Sequence, residues 1–185
     1  MPMSLPLQVF APDSHTLADH AAALRLPLWM PWPLPSGWQV TGHGYVGEAD
    51  RGTGSVLAFR GPHPFGDLSE IADLLVVAEE PGTGLGSTLA GLTSTDPGPN
   101  FGLGAPHLKA YVGGHPTSLW WVETAASDRA VYAGEAAGRW LWLVLHPETA
   151  GALLVERLVL ADVRDLGHEV DLLPYGELSP RLDLS

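Results

Sequence analysis

The chain has 185 residues, 45% hydrophobic and 16% charged, and its 9 Lys and Arg against 21 Asp and Glu give a formal net charge of −12. That balance argues against long disorder, which is poor in apolar residues and rich in charge, and against binding a nucleic-acid backbone, which needs a basic face. There is no cysteine, so disulfide scaffolds and thiolate metal or nucleophile sites are excluded.

A chain of this length hides roughly 70% of its extended surface on folding, enough for a core without staples. The expected organisation is an N-terminal arm with a short helix over 1–26, then a single domain over 27–185. The opening Met1-Pro2-Met3-Ser4-Leu5-Pro6 has neither a basic n-region nor a long apolar stretch, so it is not read as a signal peptide. The longest apolar run, Trp140 to Leu145, falls far short of the ~20 residues that span a bilayer. A cytoplasmic chain without a membrane or nucleic-acid partner is expected.

Pro12-Asp13 followed by Ser14 to Arg25 predicts a short helix, with Asp13 or Ser14 as cap and Leu17, Ala21 and Leu24 on one stripe. Pro27 ends it. Leu26 to Pro35 then carries prolines at 27, 31, 33 and 35, which forbid a helix interior or a central strand. With Trp29, Met30 and Trp32 it reads as an extended strap that needs an apolar surface. Either it is a structural arm over a sheet, or, with Trp38, an aromatic groove for a ligand or partner.

Short strands are expected from Trp38 to Val46, Ser55 to Arg60 and Asp73 to Glu79, and again over Leu108 to Val112, Ser118 to Glu123, Ala130 to Ala136 and Arg139 to Leu145. The last four are closely spaced and therefore hairpin-linked and antiparallel. Arg139 to Leu145 is apolar at successive positions, so it belongs in the middle of the sheet. The glycine- and proline-rich stretch 81–106 reads as an excursion open to a ligand. Pro147-Glu148-Thr149 then predicts a helix of about 18 residues ending before Gly167, with Val155, Leu158, Val159, Val163 and Leu166 on one arc. Asp162 falls inside that arc and needs a polar partner. The fold class expected is therefore α+β: an antiparallel sheet, a long C-terminal helix on one face, and the N-terminal helix with the Trp/Pro-rich strap.

Candidate chemistry is sparse. Gly82-Thr83-Gly84-Leu85-Gly86-Ser87 follows an apolar strand as a phosphate loop does, but it lacks the spacing and the lysine, and Glu79-Glu80 place negative charge there. None of the eight histidines has metal-binding spacing, although His107 and His115 flank a strand and stand as partners for Glu79 or Glu80. No nucleophile elbow is present. No metal and no cofactor is expected. The binding candidates are Trp29, Trp32, Trp38, Glu79, Glu80, Gly84 and Gly86. The reading is a non-enzymatic binding or protein-interaction module, with a protein or peptide as partner. The alternative is a small hydrolase or transferase using Glu79 or Glu80 with His107 or His115.

Leu28-Trp29-Met30-Pro31-Trp32-Pro33-Leu34-Pro35 with Gly37-Trp38, Val77-Ala78-Glu79-Glu80 with Gly84-Leu85-Gly86, and Asp128-Arg129-Ala130-Val131 with Gly134-Glu135 together resemble an uncharacterised actinobacterial family, a domain of unknown function. Asp96-Pro97-Gly98-Pro99, and Asp171-Leu172-Leu173-Pro174 with Leu178-Ser179-Pro180-Arg181-Leu182, fit the same family. The resemblance covers residues 27–182 and implies no activity. Members often carry a cysteine-rich, zinc-ribbon-like segment in front, which this sequence lacks. More loosely, the Pro-Ser-Gly-Trp lead into strands is similar to Mog1/PsbP-like α/β sandwiches, a likeness of architecture alone.

Overall fold

A computed structural model describes residues 6–66, 70–98, 101–154 and 157–184. Its frame is ten strands in chain order: β1 (Leu7–Phe10), β2 (Trp29–Pro31), β3 (Gln39–Val46), β4 (Gly54–Pro62), β5 (Ile71–Glu79), β6 (Leu108–Val112), β7 (His115–Trp121), β8 (Ala130–Ala136), β9 (Arg139–His146) and β10 (Leu158–Asp162). Among the described residues they form one sheet in the order β1-β3-β4-β5-β9-β8-β7-β6-β10-β2. Every pairing is antiparallel except β10 with β6. The four hairpin-linked strands from Leu108 onward pair as expected. β9 lies between β5 and β8 in the interior of the sheet, where its unbroken apolar run needs cover on both faces.

The two faces bury different residues. Leu57, Phe59, Leu74, Val76, Leu141, Leu143 and Leu145 point into the larger core, together with Leu17, Trp29, Met30 and Trp38. Val56, Ala58, Leu75, Val77, Val131, Trp142 and Val144 point the other way, under Leu85 and Leu89. These alternations are the period-2 signature of strands covered on both sides. β2, although last in the sheet order, also contacts β4 and β5, so the sheet bends round until its end meets its own middle.

Helix α1 (Ser14–Ala23) forms where the periodicity places it. The Asp13 carboxylate accepts the His15 and Thr16 N–H groups at 2.7 and 3.2 Å and caps it. Helix α2 (Leu85–Ala90) is a six-residue helix inside the glycine-rich excursion.

The α+β expectation of a long C-terminal helix is overturned. Residues 148–154 form a 3-10 helix, Leu158–Asp162 is strand β10, and two further 3-10 turns follow at Val163–Asp165 and Gly167–Leu172; residues 155–156 lie outside the described set. The described residues form a mixed ten-stranded sheet with short helices. The reason is that β6 and β2 each present an unpaired backbone edge, and β10 satisfies both at once. A helix there would satisfy only itself. Over five residues an arc at 100° and an alternation at 180° overlap, so Leu158 to Asp162 fits either period. Asp162 does find its partner: Arg164 Nη2 lies 2.7 Å from its carboxylate.

Candidate functional site

The strap closes the fold. Trp29 is 7% exposed and Trp38 4%, while Trp32 is partly buried against the larger core. The Trp32 N–H donates to Val159 C=O at 2.9 Å and Val163 N–H donates to Leu28 C=O at 3.0 Å, pinning both ends of the strap's strand along β10. Trp38 lies flat on Gly61, where an added Cβ would stand 2.3 Å from the indole. The indoles at 29 and 38 therefore offer little surface to a partner.

Glu79 is the last residue of β5, and its side chain is turned fully inward. Its Oε2 accepts the Leu85 and Gly86 N–H groups at 2.9 and 3.2 Å. The resemblance to a phosphate loop thus has a physical content: the donors exist, but the protein's own carboxylate occupies them. Burial pushes that carboxyl up to about 7, against the opposing pull of the two backbone donors. Gly84 precedes α2 at φ +84°, and Gly86 lets the Trp142 ring lie against the backbone, where a Cβ would be 2.3 Å from its Nε1. Glu80 instead accepts from Arg139 Nε at 3.0 Å and Arg25 Nη2 at 3.5 Å, a surface ion-pair cluster.

The expected carboxylate–imidazole partners do not meet. β9 and β8 stand between β5, which carries Glu79, and β7, which begins at His115. His107 lies before β6, one strand further still, and its Nδ1 accepts the Trp121 N–H at 3.0 Å.

What the structure does bring together lies at the other end of β5 and β9. Arg60, Asp73 and His146 are register partners across β4, β5 and β9, and Arg129 continues the row one step beyond Ala130 in β8. The Arg60 guanidinium donates to Asp73 at 2.8 and 3.3 Å, and Arg181 reaches Asp73 from the C-terminal turn at 3.3 Å. His146 is 3% exposed and its buried Nδ1 has no hydrogen-bond partner, with Asp128 Oδ2 3.9 Å away. Burial first, then the Arg181 and Arg129 charges, hold its imidazole down at about 4, so it is neutral at pH 7. A cleft of about 200 Å³ lies over this row, lined by Thr88, Arg129, His146, Arg181 and Asp183 among others.

A second cleft, of about 510 Å³, borders the same Arg129. Trp121 at the end of β7 and Tyr132 in β8 are directly paired in register, so both rings stand on one face. Trp121 is 48% exposed. The turn Thr124 to Ser127 forms one wall, and Glu148 with Thr149, from the 3-10 helix over 148–154, forms the other. His63 secures that helix: its Nδ1 accepts the Phe65 N–H at 3.1 Å, so Nε2 carries the proton and donates to Thr149 Oγ1 at 2.8 Å. Nothing local in the strand expected over Ser118 to Glu123 signals that residues 148–149 arrive beside Trp121.

A third cluster is closed. His43 is 0% exposed, and its Nε2 lies 2.8 Å from His20 Nδ1, with the Phe10 and Tyr45 rings around the pair. It pins α1 to β3.

Among the described residues no group of three or more His, Asp or Glu side chains is placed to hold a metal ion, and no helix is long and apolar enough to cross a membrane. The fold and its clefts define a small mixed-sheet domain with an open, part-aromatic, part-polar recess beside the β7–β8 turn. The chain belongs to DUF6758, a family of unknown function, whose match spans residues 3–182. No curated protein and no solved structure matches it.

Proposed function

We propose that this chain is a non-catalytic binding module whose contact site is the cleft between the β7–β8 turn and the 3-10 helix over 148–154. The observation that carries this reading is the pairing of a half-exposed Trp121 with Tyr132 in the largest of the open clefts described above. An exposed indole on a rigid strand is a large contact surface held at low entropic cost. The recess is of ordinary ligand size, and its wall is braced by the His63–Thr149 hydrogen bond. The strap indoles at 29 and 38, by contrast, contribute to stability. The expected test is a thermal-shift screen of small polar ligands against the wild type and Trp121→Ala. Ligands that raise the wild-type melting temperature should lose that effect in the variant. Hits that stabilise both proteins equally would move the site elsewhere.

A further inference from the structure

The chemistry of the cleft walls selects among ligands. Arg129 lines the cleft, but its guanidinium is already committed: Nε and Nη2 donate to Asp128 at 2.8 and 3.3 Å, and Nη1 donates to Leu89 C=O at 2.7 Å. Three of its five N–H groups are thus used and its charge is offset in place by Asp128. Glu148 on the opposite wall is exposed and makes no ion pair among the described residues. Trp121 and Tyr132 add two rings, whose faces are electron-rich and attract cations. Beyond the cleft the whole protein carries −12, a field that raises the local concentration of cations and repels anions.

We propose that the Trp121–Tyr132–Glu148 cleft binds a small aliphatic polyamine, with one ammonium over the indole and beside the Glu148 carboxylate. The inference rests on the reading that this cleft is the ligand site. An ammonium gains from both features at once: the ring face attracts it as it desolvates, and the carboxylate provides a charge-assisted hydrogen bond. A neutral sugar would use the ring and offer Glu148 hydroxyl donors, but the net charge of −12 does not concentrate it. A carboxylate or phosphate would meet Glu148 and Asp128 beside an arginine whose charge Asp128 already offsets.

The test is calorimetric titration of the purified chain with spermidine, glucose and citrate, each at low and at physiological salt. Spermidine binding is expected, weakening severalfold as salt rises. Trp121→Ala and Glu148→Gln should each weaken it about tenfold, while Trp121→Phe should retain most of it. Asp50→Asn removes a charge from the exposed β3–β4 turn and should change affinity less than about twofold. Equal losses in Asp50→Asn and Glu148→Gln would reduce the effect to diffuse attraction and overturn the proposal. Binding of glucose or citrate that depends on Trp121, with none of spermidine, would overturn the polyamine and keep the cleft. No Trp121-dependent binding, here or in the thermal screen, would overturn both. Unchanged melting temperatures of the surface variants would confirm that they fold.

Discussion

Glu79 shows how a residue chosen for its chemistry turns out to serve the fold. A carboxylate at a strand end beside a glycine-rich turn has the sequence appearance of acid–base machinery. In three dimensions its Oε2 is consumed by two backbone N–H groups of the helix that follows. Gly86 belongs to the same device, because its missing Cβ lets Trp142 pack against the backbone that donates to Glu79. Gly86→Ala should therefore cost about 3 kcal/mol or more, since a methyl at 2.3 Å from an indole ring must displace it from a packed core. Guanidinium denaturation checks this: Gly86 lies inside the helix and is not among the glycines at positive φ, so the loss reports the contact with Trp142. A loss below about 1 kcal/mol would show that the indole yields without cost and that the contact is not the cause.

At the scale of elements, most of the strands are legible because strand burial has a period of its own and the turns carry glycine. Leu108 to Val112 and Ala130 to Ala136 have the boundaries that their turn residues mark. The region from 147 to 166 is not legible in that way. Its residues satisfy a helical arc, and nothing local states that two sheet edges elsewhere lack a partner. Native-state hydrogen exchange separates the two arrangements. The amides of Trp32, Gly113 and Val163 donate to Val159, Leu160 and Leu28 across the strand pairings. They should exchange slowly, near the global unfolding limit. Fast exchange at Trp32 and Gly113 together would return 158–162 to a helix. The strap follows the same logic: its prolines rule out a central strand, and only the arrival of β10 makes an edge strand of Trp29–Pro31.

For the whole molecule, three buried titratable groups set the pH response. The native-state values of His43 and His146 are both held at about 4, below the ordinary 6.5, with burial the main cause in each. The unfolded chain therefore takes up these protons first. The stability that the two neutral rings contribute is present above pH 6.5 and is lost as pH falls towards 4. Each contributes at most about 3 kcal/mol. Glu79 acts oppositely: its carboxyl is raised from 4.5 to about 7, so its contribution is fullest below 4.5 and is lost as pH rises through 7. From these three groups stability should be highest near pH 7 and fall by about 1.4 kcal/mol per pH unit between about 6 and 4.5, where two histidine protons are opposed by one glutamate proton. His43→Phe, which replaces a ring already stacked among aromatic neighbours, should remove most of that slope. An unchanged slope between pH 6.5 and 4 would mean that His43 is not one of the groups responsible. Around that ring stand Asp13 and His20 as charged or chargeable neighbours, with Asp19 acting on His20.

Read alone, the amino-acid order determined the things that depend on near neighbours: the capped helix after Asp13, the hairpin-linked strands, the central position of the apolar run 140–145, and the acidic, thiol-free surface. The three-dimensional structure decided everything that depends on which distant segments meet. It turned the predicted C-terminal helix into a strand between two edges, buried Trp29 and Trp38, separated Glu79 from His107 and His115, and set Glu148 beside Trp121. The physical reason is the range of the forces. Propensity, capping and turn strain act within a few residues and are written locally, whereas backbone pairing and burial are satisfied between distant segments, as α1 is against the 3-10 turn Gly167–Leu172 near the other end of the chain.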